Sequence, residues 1–193
     1  MNRKIRRFKF LRLIIILILF ASCSNGQRKT DNKELNKTEI TKATIPKFDI
    51  EFPETAYKVE KTETIDSSLD VPVTNLILQG EDQNEPFMYF VAYNAVPNQL
   101  KEIIKNEPNS LNIAFQAMLT GSAIKLGGTN FIFTEIKYKN FNGMESICKV
   151  FDGEGIIKSR VYMIDENIIM TSAGGKNINI EAVNKFLNSF AIK

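Results

Sequence analysis

Hydrophobic and polar positions divide the chain into three parts with different patterns. An uninterrupted apolar run spans Leu13 to Ala21. Residues 24–46 are rich in Ser, Asn, Lys, Thr and Glu and show no sustained period, which is typical of a flexible tether. Short apolar segments then recur with strand-like or helix-like spacing as far as the last residues. The pattern predicts a terminal segment at 1–22, a tether at 23–46 and one globular domain at 47–193.

The first half of the domain reads mainly as strands. Phe48 to Phe52 alternates with a period of two, and Tyr57 to Ile65 does so more weakly. A third strand is predicted from Val71 to Leu78. Phe87 to Val96 is apolar at both odd-numbered and even-numbered positions. We therefore expect a central strand that is covered on both faces.

Two helical segments follow this central strand. In the first, apolar residues between Leu100 and Ile104 share one helical face. Ser110 is predicted to cap the second, whose apolar stripe begins at Leu111 and stops at Gly121. A closing helix is predicted from about Asn179. We interpret the apolar stripes of the first two helices as core packing.

Four strand-like runs lie between the second and the closing helix, at 131–140, 144–151, 156–164 and 168–173. Asn142-Gly143 is predicted to form the turn between the first two, because both residues tolerate positive φ. Connections this short require antiparallel neighbours. The predicted fold class is therefore α+β: an antiparallel sheet of about six to seven strands, with a four-stranded meander at its C-terminal end, packed with helices.

The terminal segment is predicted to be a secretory signal peptide. Six Lys and Arg residues precede the apolar run, and no acidic residue occurs before Asp31. As a helix, the nine apolar residues would cover about 13–14 Å, whereas a bilayer core needs roughly 20 residues. A basic start, a short apolar run and small residues at its exit are the parts of a signal peptide.

The end of this run, Phe20-Ala21-Ser22-Cys23, resembles the lipobox of bacterial lipoproteins. The resemblance implies that the peptidase recognises Phe20, Ala21 and Ser22, and that Cys23 is alkylated with a diacylglycerol and then acylated, for example with palmitate. Phe20 departs from the usual Leu. We expect a protein held by lipid on Cys23 outside the cytoplasm, on the periplasmic side of the inner or outer membrane. The alternative is a short N-terminal anchor with an incidental cysteine.

Composition excludes several classes of protein. Six of the 25 positive charges lie in residues 1–22, so 19 positive charges stand against 22 negative ones in the remainder, a formal charge of −3. Nucleic acid binding requires a concentrated basic face and is not expected. The chain has no His, which removes the usual general base and the commonest transition-metal ligand. We expect no cofactor and no metal, and Cys148 has no partner for an internal disulfide once Cys23 carries lipid.

Three further features are candidates for binding or catalytic chemistry. Cys148 is interpreted as a quiet, partly buried thiol, because its neighbour Lys149 points to the other face of the strand. The acidic residues Glu81, Asp82 and Glu85 lack the spacing of a calcium loop, so a solvated turn is expected. Gly174-Gly175-Lys176 lacks the spacing of a phosphate loop and is interpreted as a flexible connection to the last helix.

The domain resembles the PsbP-like superfamily, which includes the extrinsic PsbP subunit of photosystem II, a Ran-binding nuclear import factor and DcrB-like bacterial lipoproteins. The matching segments, in chain order, are Phe-Asp-Ile-Glu-Phe-Pro at 48–53, Phe-Met-Tyr-Phe-Val-Ala-Tyr at 87–93, the hairpin at 141–143 and Phe-Leu-Asn-Ser-Phe at 186–190. The resemblance implies an antiparallel sheet between helices and a non-catalytic, protein-binding role. It transfers no active site, and the His-containing metal sites of some plant members have no counterpart here.

Three functional hypotheses follow. The first is a lipid-anchored envelope protein whose domain binds another protein or assists an assembly without catalysis. The second is a carrier of small apolar ligands, with a pocket between sheet and helix lined by aromatic residues such as Phe87, Tyr89, Phe115 and Phe131. The third is an enzyme built on Asp, Glu and Lys alone, which would need two acidic side chains converging in a cleft.

Overall fold

A computed structural model describes residues 43–45, 48–52, 56–66, 73–82, 87–96, 98–107, 109–124, 126–176 and 179–193. Ten strands, three α-helices and one 3-10 helix (Phe151–Gly153) lie within these ranges. The predicted signal peptide and most of the predicted tether lie outside them. The strands are β1 Ala43–Ile45, β2 Phe48–Ile50, β3 Ala56–Asp66, β4 Val73–Asp82, β5 Phe87–Ala95, β6 Thr129–Tyr138, β7 Phe141–Val150, β8 Gly155–Ile164, β9 Asn167–Lys176 and β10 Ala191–Ile192. The helices are α1 Asn98–Asn106, α2 Ser110–Ile124 and α3 Ile180–Asn188.

Seven of the strands form one antiparallel sheet in the order β3-β4-β5-β9-β8-β7-β6. The last four strands of this order are the predicted C-terminal meander, which is confirmed. The remaining strands form a small sheet in the order β1-β2-β10. Its first strand, Ala43–Ile45, falls at the end of the segment assigned to the tether. The α+β class with an antiparallel sheet is thus confirmed.

The front face of the large sheet is covered by helix α3 and by the small sheet. Tyr89 and Tyr162 point to this face and are 1% and 5% exposed. Phe186 of α3 packs against the Tyr89 ring, with their centroids 5.0 Å apart. Burial of each such side chain contributes about 1.5–3 kcal/mol. The buried front-face cluster comprises Phe48, Ile50, Phe52, Tyr89, Val91, Tyr162, Ile164, Ile169, Ala173, Val183, Phe186, Leu187 and Phe190.

The back face is covered by helices α1 and α2. Side chains of consecutive strand residues point to opposite faces, so Val161 and Ile168 face away from their neighbours Tyr162 and Ile169. The buried back-face cluster comprises Val96, Leu100, Ala114, Phe115, Met118, Leu119, Met144, Val161 and Ile168. Strand β5 lies between β4 and β9, and Val91 and Ala92 are buried on opposite faces of it. The prediction of a central strand covered on both faces is therefore confirmed.

The hairpin between β6 and β7 forms as predicted, but the predicted turn residues are wrong. Lys139 and Asn140 make the turn, and Lys139 has φ +53°. Gly143 lies inside β7 opposite Tyr162. A Cβ atom at Gly143 would stand 2.4 Å from Cδ1 of Tyr162 and 2.6 Å from the carbonyl oxygen of Val161. This position requires glycine because an aromatic ring packs over it, as occurs at other strand glycines.

Two details of the predicted helix α2 are also wrong. Ser110 is the first residue of the helix, and its hydroxyl donates to the carbonyls of Glu107 (2.7 Å) and Ile103 (3.3 Å). It therefore satisfies the end of α1 and does not cap α2. The helix continues past Gly121 to Ile124, because its core-facing stripe extends to Ala123, which is 2% exposed. None of the described helices is long and apolar enough for a membrane span.

Candidate functional site

The predicted lipidation site lies outside the described residues. This applies to Cys23 and to the three preceding residues Phe20, Ala21 and Ser22. Their roles stay predictions from the sequence. The predicted acidic turn is wrong at its start, because Glu81 and Asp82 are the last residues of strand β4. Their side chains and Glu85 lie outside the described part of the chain. Within the described ranges, no group of three or more His, Cys, Asp and Glu side chains is placed to hold a metal ion.

Cys148 occupies the position that the sequence predicts. It lies in β7 and is 2% exposed, packed with Val150, Ile157 and Ala123 beneath the end of α2. Burial raises the pKa of its thiol above the ordinary value of 9.0, and a backbone hydrogen bond from Ile157 opposes that shift only in part. A thiol that is neutral and shielded in this way is a poor nucleophile.

The glycine segment before the last helix is not a loop. Gly174, Gly175 and Lys176 are the last residues of β9. Both glycines pair with β5 on one side and with β8 on the other, and Lys176 pairs with β8. The interpretation as a flexible connection is therefore wrong. The Lys176 ammonium lies 2.6 Å from the Glu154 carboxylate in an exposed ion pair. That ion pair lowers the pKa of Glu154.

The predicted aromatic pocket does not form from the residues proposed for it. Tyr89 is buried in the front-face cluster, Phe115 is buried in the back-face cluster, and Phe131 packs with a third cluster near Cys148. The sheet separates Tyr89 from Phe115. The side chain of Phe87 lies outside the described part of the chain. Periodicity predicted that these residues are buried but could not assign them to faces.

A partly buried ionic cluster lies on the front face beside α3. Glu145 of β7 accepts from Arg160 Nε at 2.8 Å and is paired with Lys158 Nζ at 3.1 Å. All three side chains are 16–17% exposed. Register explains the arrangement, because Glu145 lies directly opposite Arg160, and Lys158 precedes Arg160 by one full period of strand β8.

The same two cations bind helix α3 to the sheet. Arg160 Nη1 donates to the carbonyl of Leu187 (3.2 Å) and to the side-chain oxygen of Asn188 (2.8 Å). Lys158 donates to Asn184 Oδ1 at 3.1 Å. Carbonyls in the last turn of a helix lack partners within the helix, and a cation there also interacts favourably with the helix dipole. The cluster therefore fixes the C-terminal end of α3 over strand β8.

Beyond this cluster the front face of the two outer strands is open to solvent. Ile132 of β6 and Ile147 of β7 lie directly opposite each other and are 65% and 36% exposed. Lys149 is exposed one period further along β7, on the same face. We call Ile132, Glu145, Ile147, Lys149 and Lys158 the docking face. Adjacent exposed apolar side chains with polar groups around them make this face a candidate interaction surface.

Sequence reasoning did not identify the docking face, although part of its signal is visible. Lys158 and Arg160 alternate with Ile157, Ser159 and Val161, which indicates a strand with one charged face. The partner Glu145 is distant in sequence, and only the β7–β8 register brings it to them. Ile132 and Ile147 are exposed because α3 packs along β8, where Asn184 contacts Lys158 and Asn188 contacts Arg160, and not over the outer strands.

The fold and the site define an α+β domain with an antiparallel sheet between helices and an apolar, positively charged surface on its outer strands. No protein-family model matches the chain, and no curated protein is found to be similar to it. Among solved structures, the chain is similar to the solution structure of the cyanobacterial PsbP protein CyanoP from Synechocystis sp. PCC 6803. The two share 12% sequence identity with a TM-score of 0.41, over 89% of this chain and 98% of that one.

Proposed function

We propose that the protein is a lipid-anchored protein of the bacterial cell envelope whose PsbP-like domain binds another protein and performs no catalysis. The observation that carries the binding role is the exposed Ile132–Ile147 pair beside the ionic cluster. The lipobox at Phe20–Cys23 supports the anchored location. The order of PsbP-like motifs along the chain supports an accessory role.

The chemistry of the docking face indicates what kind of partner it fits. Lys149 and Lys158 are cationic, with Arg160 behind them, and Glu145 is the single carboxylate among these groups. A partner surface should therefore present apolar side chains against the two isoleucines and a carboxylate against the exposed Lys149, because Lys158 is already paired with Glu145. Complementary charge of this kind contributes mainly to the association rate and to specificity.

The same cluster argues against the enzyme hypothesis. A catalytic carboxylate needs a free oxygen directed at a substrate. Glu145, the carboxylate at the centre of the site, is instead paired with two cations that also hold α3. Cys148 is buried, and the chain contains no His. An enzyme would have to use residues elsewhere.

Photocrosslinking in intact cells tests the binding role. A photoreactive amino acid is placed at Ile132, and in a second variant at Ile124, an exposed residue of α2 with nearly the same exposure (61%). We expect a discrete adduct with an envelope protein at position 132 and none at position 124. Equal labelling at the two positions, or no adduct at position 132, would contradict the proposal.

A second candidate function, a carrier of apolar ligands, has one observation in its favour on the back face. Phe90 and Met170 are half-buried there, although they lie on central strands. Ser172, paired with Phe90, is 8% exposed, and its hydroxyl has no hydrogen-bond partner among the described residues. Native mass spectrometry of the purified protein would detect a copurifying ligand. A ligand lost on Met170→Glu substitution would favour this candidate over the first.

A further inference from the structure

Strand β6 forms one edge of the large sheet. It pairs with β7 on one side, and no described strand pairs with it on the other. Alternate residues of an antiparallel strand direct their backbone N–H and C=O groups to opposite sides. The outer groups of β6 have no strand partner among the described residues. A bulge with Asn130 at φ +54° interrupts the start of β6, so the regular part of the edge runs from Ile132 to Tyr138.

The side chains of this edge are complementary to those of the same edge in a second copy of the chain. In an antiparallel pair of identical strands related by a two-fold axis, one residue lies on the axis and its neighbours pair across it. With Ile136 on the axis, Glu135 faces Lys137 of the second copy, and Lys137 faces its Glu135. On the other side of the sheet, Ile136 meets Ile136, and Thr134 meets Tyr138. Each of these is a favourable type of cross-strand pair.

Other registers are less favourable. An axis on Glu135 places two carboxylates opposite each other, and an axis on Lys137 places two ammonium groups opposite each other, which is destabilising. An axis on Thr134 places the Glu135 carboxylate opposite the ring of Phe133. An axis nearer the start of the strand meets the bulge at Asn130. The order of charges therefore selects the register centred on Ile136.

We propose that a second copy of this chain adds to β6 in the antiparallel register centred on Ile136. Two seven-stranded sheets then become one continuous sheet, and the docking faces of the two copies lie side by side. The proposal is independent of the binding role of the docking face, because it uses the backbone and the side chains of the edge from Thr134 to Tyr138.

The strength of this pairing is modest. Five cross-strand pairs, each contributing about 0.2–1 kcal/mol, bury much less than the ~800 Å² per partner of a standard interface. We therefore expect association to depend on concentration. Confinement of both copies to a membrane surface would raise their effective concentration in the same way as a linker does.

Charged residues on an edge strand can also prevent association, and the experiment must distinguish that role from pairing. Lys on an edge strand commonly prevents edge-to-edge association. If Glu135 and Lys137 serve only that role, the protein stays monomeric, and reversal of either charge changes nothing in its association.

Single cysteine substitutions locate the axis. A residue on the axis has its Cα atom about 4.5–5.5 Å from its own copy, which fits a disulfide. Ile136→Cys in the full chain, oxidised in whole cells, should give a covalent dimer. Thr134→Cys should not, because its two copies would lie about 13 Å apart along the strand. The native Cys148 is 2% exposed and does not compete.

Charge exchange provides a second test that keeps Ile136 intact. Lys137→Glu should abolish dimers in sedimentation velocity at high protein concentration, because Glu135 would then face Glu. The double substitution Glu135→Lys with Lys137→Glu should restore them. The proposal is overturned if Ile136→Cys gives no dimer, if Thr134→Cys gives as much, or if the double substitution fails to restore association.

Discussion

Replacement of Glu145 by Gln tests whether the counter-ion of Lys158 and Arg160 stabilises the domain. The substitution keeps the shape of the side chain and removes its charge. Two cations that are 16–17% exposed then lose their counter-ion, while Arg160 keeps Leu187 and Asn188, and Lys158 keeps Asn184. Loss of a hydrogen bond to a charged group costs about 1.5–3 kcal/mol. Removal of one partner of a fully buried pair costs about 3–5 kcal/mol.

Because this cluster is only partly buried, we expect a loss of about 2–3 kcal/mol in the free energy of unfolding. For a domain of this size, that loss corresponds to a decrease of roughly 5–10 °C in the melting temperature. Thermal unfolding followed by circular dichroism measures it. Glu154→Gln is the matched control, because Glu154 pairs with Lys176 at 2.6 Å on the exposed surface and its loss should leave the melting temperature unchanged.

A double-mutant cycle of Glu145→Gln and Arg160→Gln then separates the pairing from the rest of each side chain. We expect a coupling energy of about 1–2 kcal/mol for groups in direct contact. If Glu145→Gln leaves the melting temperature as unchanged as Glu154→Gln does, the cluster behaves as a surface ion pair. That result would contradict a stabilising role for the Glu145 charge, since the contacts of Lys158 and Arg160 with α3 remain in this variant.

Three further predictions concern single residues. Gly143→Ala should destabilise the domain by about 1–3 kcal/mol in chemical denaturation, because its Cβ would overlap the Tyr162 ring; an unchanged midpoint would contradict the packing described. Cys148 should react with a thiol reagent only after unfolding. Because its pKa is raised in the folded state, the thiol ionises first in the unfolded state, so the free energy of unfolding should fall as the pH rises above 9.0. This part of the pH dependence should be absent in Cys148→Ala. Cys23→Ala should abolish incorporation of labelled palmitate, whereas unchanged labelling would contradict the lipobox prediction.

The sheet was predictable from the sequence where one local signal decided the structure. The last four strands alternate clearly and have short connections, so their antiparallel order follows from chain geometry. The position of the first turn did not follow. Asn142-Gly143 is a strong turn signal, but Tyr162 needs a glycine opposite it, and that requirement arises only when β8 pairs with β7.

The candidate site was less predictable, because its parts come from separate segments. A strand pattern shows that Lys158 and Arg160 share a face, but it does not show that α3 ends over that face. Likewise, Tyr89 and Phe115 were both predicted to be buried, but their separation by the sheet depends on the packing of α2 against the back face. The exposure of Ile132 and Ile147 depends on which other elements pack over them. A local sequence pattern does not contain that information.

The most direct test of the proposed function is capture of a partner by the docking face. The full chain carrying an affinity tag is purified from detergent-solubilised envelopes in three forms: wild type, Ile132→Glu and the control Ile124→Glu. The exposed fractions of the two isoleucines, 65% and 61%, are matched, so both changes add the same charge to the surface. We predict that a specific envelope protein copurifies with the wild type and with Ile124→Glu and is lost with Ile132→Glu. A partner retained by Ile132→Glu, or lost equally from both variants, would contradict the assignment of the docking face.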